Sequence, residues 1–491
     1  MVKRHIRASL TISLAAAWVV LGALPAARAQ ASLANAPEPS HALKPHALPD
    51  RLPEKPSQPP AFSIPLASLG FSTPGSVYLG QRYSFVSLDF LDENRLLFTF
   101  RVPGLIRREA AERGGGDETE RQIRAVVLTL PAGTVESEAL WTLHDRARYL
   151  WMLKDGRFLL RDRENLEIGD GSLELKPFLR FPGPLLWVEM DPTQQYLVTD
   201  SREPENSAAK AGEVSTPTDQ PAGKDPSVGT PVNHPTDKDP SVGTPVNHPT
   251  DKDPSVGTPV TAQATMEVDQ QGAAGDPDLV VRILRRESGH VMLVSRTRST
   301  VHLPINSDGY LESLRGKGVG WLLNLSYFSG GSAILGQVDS TCLPRFDFLS
   351  QREVLVTTCT ATGAGKLVAI STDGRHFWEA LTSEATIWPL LLRAADGSRL
   401  AREAMVVSRA VSARAPLDSE EIKGQLVQVL DAADGKVELE ASASPVLDAG
   451  GNVAISPSGR RVALLNGSAI QIFDLPAPPP LPEGAAPPPG H

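Results

Sequence analysis

Three stretches of this 491-residue chain repeat one layout, and that repetition limits what the chain can fold into. Near residue 87 runs SLDFLDENRLLFTFRVPG, then a polar interruption and IRAVVLTLPAG. Near residue 187 runs WVEMDPTQQYLVTD, then a long interruption and LVVRILRRESG. Near residue 345 runs FDFLSQREVLVTTCTATGAGKLVAISTDG. Each is a short apolar strand, a turn, a β-rich strand, a loop, another strand and a glycine turn. A unit of this size cannot bury both faces of its sheet alone. Such units must stack, and antiparallel ones stack radially into a β-propeller.

Further copies fill the gaps. RYLWMLKDGRFLLRDRENLEIGDGSLELKPF carries hairpin turns at Asp155-Gly156 and Asp170-Gly171, and LPINSDGYLESLRGKGVGWLLNLSYFSGG turns at Asp308-Gly309. REAMVVSRAVSARAPLDSEEIKGQLVQVLDAADGKVELEA and NVAISPSGRRVALLNGSAIQIFDL supply two more. Unit starts near 87, 149, 187, 303, 345, 404 and 452 predict an all-β propeller of seven four-stranded blades. Leu400 to Ala415 also has helical spacing, and a helix there would leave a six-bladed or irregular ring. The last unit ends after its third strand. FSIPLASLGF, Phe62 to Phe71, is expected to supply the missing outer strand and join the last blade to the first.

The remaining sequence reads as appendages. Residues 1–29 have a basic start (Lys3, Arg4, Arg7), an apolar run and the Ala27-Arg28-Ala29 site of a cleaved signal peptide. An uncleaved anchor is the alternative. Residues 30–61 and 476–491 are Pro-rich and read as disordered spacer and tail, leaving 62–475 as the propeller domain. A disordered insertion over 201–278 interrupts that domain, with KDPSVGTPVNHPTD repeating at a 14-residue period. No later stretch is apolar for long enough to span a membrane.

The formal charge of -9 becomes about -13 once the four basic residues of 1–29 are removed. An acidic chain without a basic stripe is not built for nucleic acid. The two cysteines fall on facing strands. With the turn centred on Ser350-Gln351, Leu349 pairs with Arg352 and Cys342 lies opposite Cys359. An exported route predicts a structural disulfide between them, and two buried free thiols are the alternative.

Catalytic signatures are missing. No G-x-S-x-G, H-E-x-x-H or calcium-loop pattern occurs. No catalytic, cofactor-binding or metal-binding residue is identified, and no cofactor is expected. His144, His290, His302 and His376 are the histidines of the expected blades, with His144-Asp145 read as a strand-end pair. Tryptophans 141, 151, 187, 321, 378 and 388 have apolar neighbours at strand spacing and are expected to pack between blades.

The last unit, ending Ile472-Phe473-Asp474-Leu475, resembles a WD-repeat blade, and WVEMDPTQQYLV is similar to the inner half of that pattern. The resemblance implies seven blades and binding of partners. The chain has no Trp-Asp dipeptide, and Gly289-His290 is not followed by the usual ending, so the WD structural network does not carry over. The interruptions at 101–122, 201–278 and 413–423 all fall between the second and third strands of their units. They should therefore leave from one mouth of the channel. The expected function is that of an exported, monomeric, non-catalytic scaffold in the periplasm or outside the cell. It would bind a protein or cell-envelope component through that face. The alternative is an extracytoplasmic hydrolase or lactonase using carboxylates at the channel mouth.

Overall fold

The computed structural model describes residues 45–72, 78–79, 86–102, 107–108, 119–144, 148–203, 214, 279–297, 302–316, 318–360, 364–409, 419–447 and 450–477. The expected signal peptide, the repeat tract and the tail beyond 477 lie outside them.

Strand residues alternate between the two faces of a sheet, so a sheet buried on both sides reads as a continuous apolar run. Arg95–Arg101 shows how that pattern builds a ring. Leu96, Phe98 and Phe100 point into one core cluster, whereas Leu97 points into the next. Seven such clusters each join two consecutive sheets, and the last returns to the first.

Seven of the eight sheets are blades, and the eighth is a short parallel pairing of Tyr78–Leu79 with Val446–Leu447. Blade 1 is Ser87–Asp92, Arg95–Arg101, Thr119–Thr129 and Thr134–Leu143. Blade 2 is Leu150–Met152, Phe158–Asp162, Asn165–Gly169 and Lys176–Arg180. Blade 3 is Leu185–Met190, Tyr196–Arg202, Leu279–Arg285 and Val291–Thr297. Blade 4 has Gly309–Arg315, Gly320–Tyr327 and Ser332–Asp339, with its inner strand reduced to an Ile305–Tyr310 bridge. Blade 5 is Arg345–Phe348, Glu353–Cys359, Gly365–Ser371 and His376–Leu381. Blade 6 is Thr386–Arg393, Arg399–Val407, Ile422–Asp431 and Val437–Ala443. Blade 7 is Val453–Ile455, Arg461–Asn466 and Ala469–Asp474, and its outer strand is Phe62–Pro65 from the other end of the chain.

That outer strand closes the ring as the sequence suggests. Ile64, Leu66, Leu69 and Phe71 fill the core between blades 7 and 1. The stretch from Leu400 is strand, as the seven-bladed reading requires, with Arg399–Val407 buried throughout, so the alternative helix does not break the ring. Other details differ from the sequence reading. The sixth blade begins at Thr386 instead of 404. Its inner strand contains Pro389, and the pairing shifts register between Ile387 and Leu390. A proline cannot donate to the ladder, which hides this strand from a pattern search.

A further difference lies in residues 45–61, read as free spacer but bound to three blades. His46–Ala47 adds in parallel to the outer strand of blade 5. Asp50 then pairs with buried Arg402 of blade 6 at 2.8 Å, and Gln428 donates to the Pro49 carbonyl at 2.7 Å. Ser57 donates its backbone N–H to the Glu440 carbonyl, and Ala61 donates to Ile472 of blade 7. Composition misses this because the strap buries few apolar groups and is held mainly by hydrogen bonds and one ion pair.

Cys342 and Cys359 form the cross-link, with Cα atoms 5.8 Å apart. The hairpin beside them is one residue out of the expected register: Phe348 pairs with Val354, and Leu349 donates to the Glu353 carbonyl. Cys342 therefore sits in the connector before the strand rather than on the ladder. Trp141, Trp151 and Trp378 are core residues as expected, but Trp187 is 39% exposed.

Candidate functional site

The three long interruptions leave blades 1, 3 and 6 between the second and third strands, and therefore on one mouth of the ring. The inner strands begin at that same mouth. The root of the longest interruption is fixed by a buried ion pair. Arg282 donates to both oxygens of Glu203, at 2.6 and 2.9 Å, and to Ser201 at 2.8 Å. Neither charged side chain is exposed to solvent.

Charged side chains on the inner strands define the channel. Arg148 enters blade 2, yet its charge is felt by Asp89 of blade 1, Glu189 of blade 3 and Glu403 of blade 6. Lys154 of blade 2 senses Arg393 and Asp396 of blade 6. Blades 2 and 6 are not neighbours in the ring, so these groups meet across the axis. Lys154, Asp191, Arg393 and Asp396 belong to the turn side. Asp89, Arg148, Trp187, His302 and Glu403 belong to the mouth side, where the interruptions leave.

A repeated device underlies the charges. Leu88-Asp89-Phe90, Val188-Glu189-Met190 and Phe346-Asp347-Phe348 occupy the same place in blades 1, 3 and 5. Their apolar residues Leu88, Phe90, Val188, Phe346 and Phe348 enter the core on one side. The intervening acid is turned the other way, toward the next blade. Each acid there faces a cation of the next blade, Arg148 for Asp89, His302 for Glu189 and Arg393 for Asp347, and Asp347 also pairs with Arg345 of its own strand at 3.6 Å.

The three copies differ in how they close. Glu189 binds His302 Nδ1 at 2.9 Å, and the His302 Nε2 faces the Phe346 carbonyl at 3.0 Å. Burial disfavours the imidazolium, but the Glu189 charge outweighs it and raises His302 to about 9. Trp187 stands edge-on to this ring, centroids 6.0 Å apart. Arg393 donates to the Phe348 carbonyl at 2.5 Å, tying blade 6 to blade 5. In the first copy Asp89 accepts from Ser87 at 2.5 Å, and Arg148 donates its Nε–H to Leu150. Asp89 and Arg148 do not form an ion pair.

Glu403 completes the mouth. It is 1% exposed, and Gln425 donates to its Oε2 at 2.7 Å. Its Oε1 has no hydrogen-bond partner. It lies beside Gly450, where a Cβ would stand 3.7 Å from Oε1, and the adjoining Gly451 packs on the Val86 carbonyl at the entry to blade 1. A side chain at Gly451 would clash with that oxygen, and its φ of +102° suits glycine alone. Burial pushes Glu403 up to about 8 against the opposing charge of Arg148, and burial raises Asp89 to about 6.

These groups fix a direction for stability. The native protein keeps a proton on Glu403 that the unfolded chain releases near its ordinary value of 4.5. The stabilisation is complete below that value and declines as pH rises toward 8, by up to about 1.4 kcal/mol per pH unit. His302 adds a contribution complete below 6.5 and lost as pH rises through about 9. Urea midpoints should therefore fall between pH 5 and 9, and Glu403→Gln should flatten the portion up to pH 8. Superimposable profiles for wild type and variant would mean that Glu403 is already ionised in the native state.

The other sequence candidates are structural. His144 bonds Asp162 at 2.9 Å, while Asp145 lies outside the described residues. His290 and His376 are exposed and far along the chain from the inner strands. Among the described residues, no group of three or more His, Cys, Asp or Glu is placed to hold a metal ion. A shallow cleft between blades 1 and 2 on the turn side contains Arg95 and Arg157, but these pair with Asp92 at 2.7 Å and Asp155 at 2.5 Å.

No family model and no curated protein matches the chain. Among solved structures, the Pyrococcus horikoshii acylaminoacyl peptidase is 10% identical with a TM-score of 0.38, over 79% of this chain and 52% of its own. The chain thus spans about half the length of that peptidase. The β-propeller domain of the Trilobed protease from Pyrococcus furiosus is 9% identical with a TM-score of 0.39, covering 80% of this chain and 93% of its own. An uncharacterised protein from Listeria monocytogenes EGD-e is 8% identical with a TM-score of 0.40, covering 83% of this chain and 98% of its own. These are likenesses of fold alone.

Proposed function

We propose that the chain is an exported, non-catalytic propeller that binds a protein or cell-envelope component through the mouth side of its ring. The observation that carries this reading is the exit of all three long interruptions on that side. Two further features support it. Leu314, Val319 and Leu343 are exposed at the mouth end of blades 4 and 5, beside the Cys342–Cys359 pair. Large apolar side chains left in water at one end of a ring suit a partner surface. The signal-like N-terminus and the cysteine pair fit an oxidising compartment.

A second reading, an extracytoplasmic hydrolase or lactonase, draws on Asp89 and Glu403. Two mouth carboxyls held up at about 6 and 8 could exchange protons in the neutral range. Thermal unfolding of residues 30–491 against metals, sugars, lactones and envelope fragments separates the two. A ligand of the native state raises stability by about 2.7 kcal/mol at a hundredfold excess over its dissociation constant. A shift with envelope fragments alone is expected. A shift confined to a lactone or a metal would replace the scaffold with the enzyme.

A further inference from the structure

We infer that the mouth of the channel holds a monoanionic ligand, a carboxylate on an apolar or ring-shaped body, with Arg148 as its counter-ion. This deepens the reading of the mouth as the binding face and rests on it.

Arg148 is the cation that the repeated device leaves open. Of the three acid–cation sets, Glu189 closes on His302 at 2.9 Å and Arg393 is held by the Phe348 carbonyl. Arg148 commits only its Nε–H, to the Leu150 carbonyl, and lies over the Trp151 ring at 5.6 Å. Its two terminal nitrogens have no acceptor among the described residues, and the side chain is exposed to solvent. Its charge nevertheless acts on acids of blades 1, 3 and 6, which places it near the axis of the ring. An open guanidinium fork inside a ring is a carboxylate receptor, since its paired N–H groups match the two carboxylate oxygens.

The surroundings choose the charge of the ligand. Burial pushes Glu403 up to about 8, so its carboxyl adds little negative charge against an anion at neutral pH. Asp89 remains close enough to repel a second negative charge, whereas Glu189 is already paired with His302. One guanidinium beside one uncompensated carboxylate therefore suits a monoanion better than a phosphate dianion. Trp187, exposed at the same mouth and edge-on to His302, offers the apolar wall against which the ligand body would lie.

The test uses the mature chain, residues 30–491, with benzoate as probe, benzamide as its neutral counterpart and inorganic phosphate as the dianion, titrated calorimetrically at pH 7. Benzoate should bind, benzamide and phosphate should bind at least about tenfold more weakly, and Arg148→Gln should weaken benzoate by about tenfold or more. Asp89→Asn removes the charge that competes for Arg148 and should tighten benzoate several-fold, which no loss of folding could imitate. Absent benzoate binding, equal binding of benzamide, preference for phosphate, or indifference to both substitutions would each overturn the inference. Benzoate binding without partner binding at the mouth would sink the scaffold reading alone. Partner binding there without benzoate binding would sink this inference alone.

Discussion

A chain shortened to begin at residue 72 is expected to lose cooperative unfolding, whereas one beginning at residue 62 should keep it. The segment between them supplies the outer strand of blade 7 and four side chains of the core between blades 7 and 1: Ile64, Leu66, Leu69 and Phe71. Burying each is worth about 1.5–3 kcal/mol, so together they contribute about 6–12 kcal/mol. That is comparable with the whole net stability of a domain, about 5–15 kcal/mol. Their loss would also bare the edge presented by Ala469–Asp474. The chain from residue 62 loses only the strap. It leaves Arg402 with Gln428 and Thr386 but without Asp50, and should unfold in one transition about 3–5 kcal/mol less stable. Urea unfolding followed by tryptophan fluorescence and circular dichroism measures both. An unchanged midpoint in the shorter chain would mean that the ring closes without its clasp.

Glu203→Ala should be the most damaging single substitution at the mouth. It takes from the fully buried Arg282 guanidinium the carboxylate that accepts two of its hydrogen bonds, a change that costs about 3–5 kcal/mol. Replacing both partners, as in Glu203→Leu with Arg282→Met, should recover most of that loss, because two apolar groups of similar size need no charge partner. The double substitution also tests what the pair is for. If it fixes where the long interruption leaves the ring, the double variant should be stable but more readily cleaved by protease near residue 203. A loss below about 1 kcal/mol for Glu203→Ala would mean that water reaches the pair.

The blades were legible because a sheet buried on both faces leaves continuous apolar runs punctuated by turn residues. Leu96 to Phe100 and Val126 to Leu128 show this in a few residues. The clasp at Phe62 was legible for a topological reason: a last unit with three strands needs a fourth. The inner strand of blade 6 was not, because Pro389 interrupts the pattern. Nor was the strap, because Asp50 gains its meaning from Arg402, over 350 positions away.

The site was harder to read than the fold. Asp89, Arg148, Glu189, His302, Arg393 and Glu403 converge only when the ring closes, and no local spacing announces them. One signal was available. The acid in Leu88-Asp89-Phe90, Val188-Glu189-Met190 and Phe346-Asp347-Phe348 falls at the same place in three units. A charged residue repeated inside an otherwise apolar strand needs a partner charge, which Asp347 finds partly on its own strand in Arg345 and which Asp89 and Glu189 do not. Glu403 left no such trace. It lies in a second strand whose neighbours Arg402 and Ala404 are equally buried.

Site-specific photo-crosslinking in the cell envelope decides whether the mouth side is the binding face proposed above. A crosslinking residue would replace Val319 or Leu343 on the mouth side and Arg157 or Ser172 on the turn side. All four sites lie outside the core. A discrete crosslinked species is expected from Val319 and Leu343 and none from Arg157 and Ser172. Crosslinks from the turn side alone, or the same species from both sides, would contradict the proposal.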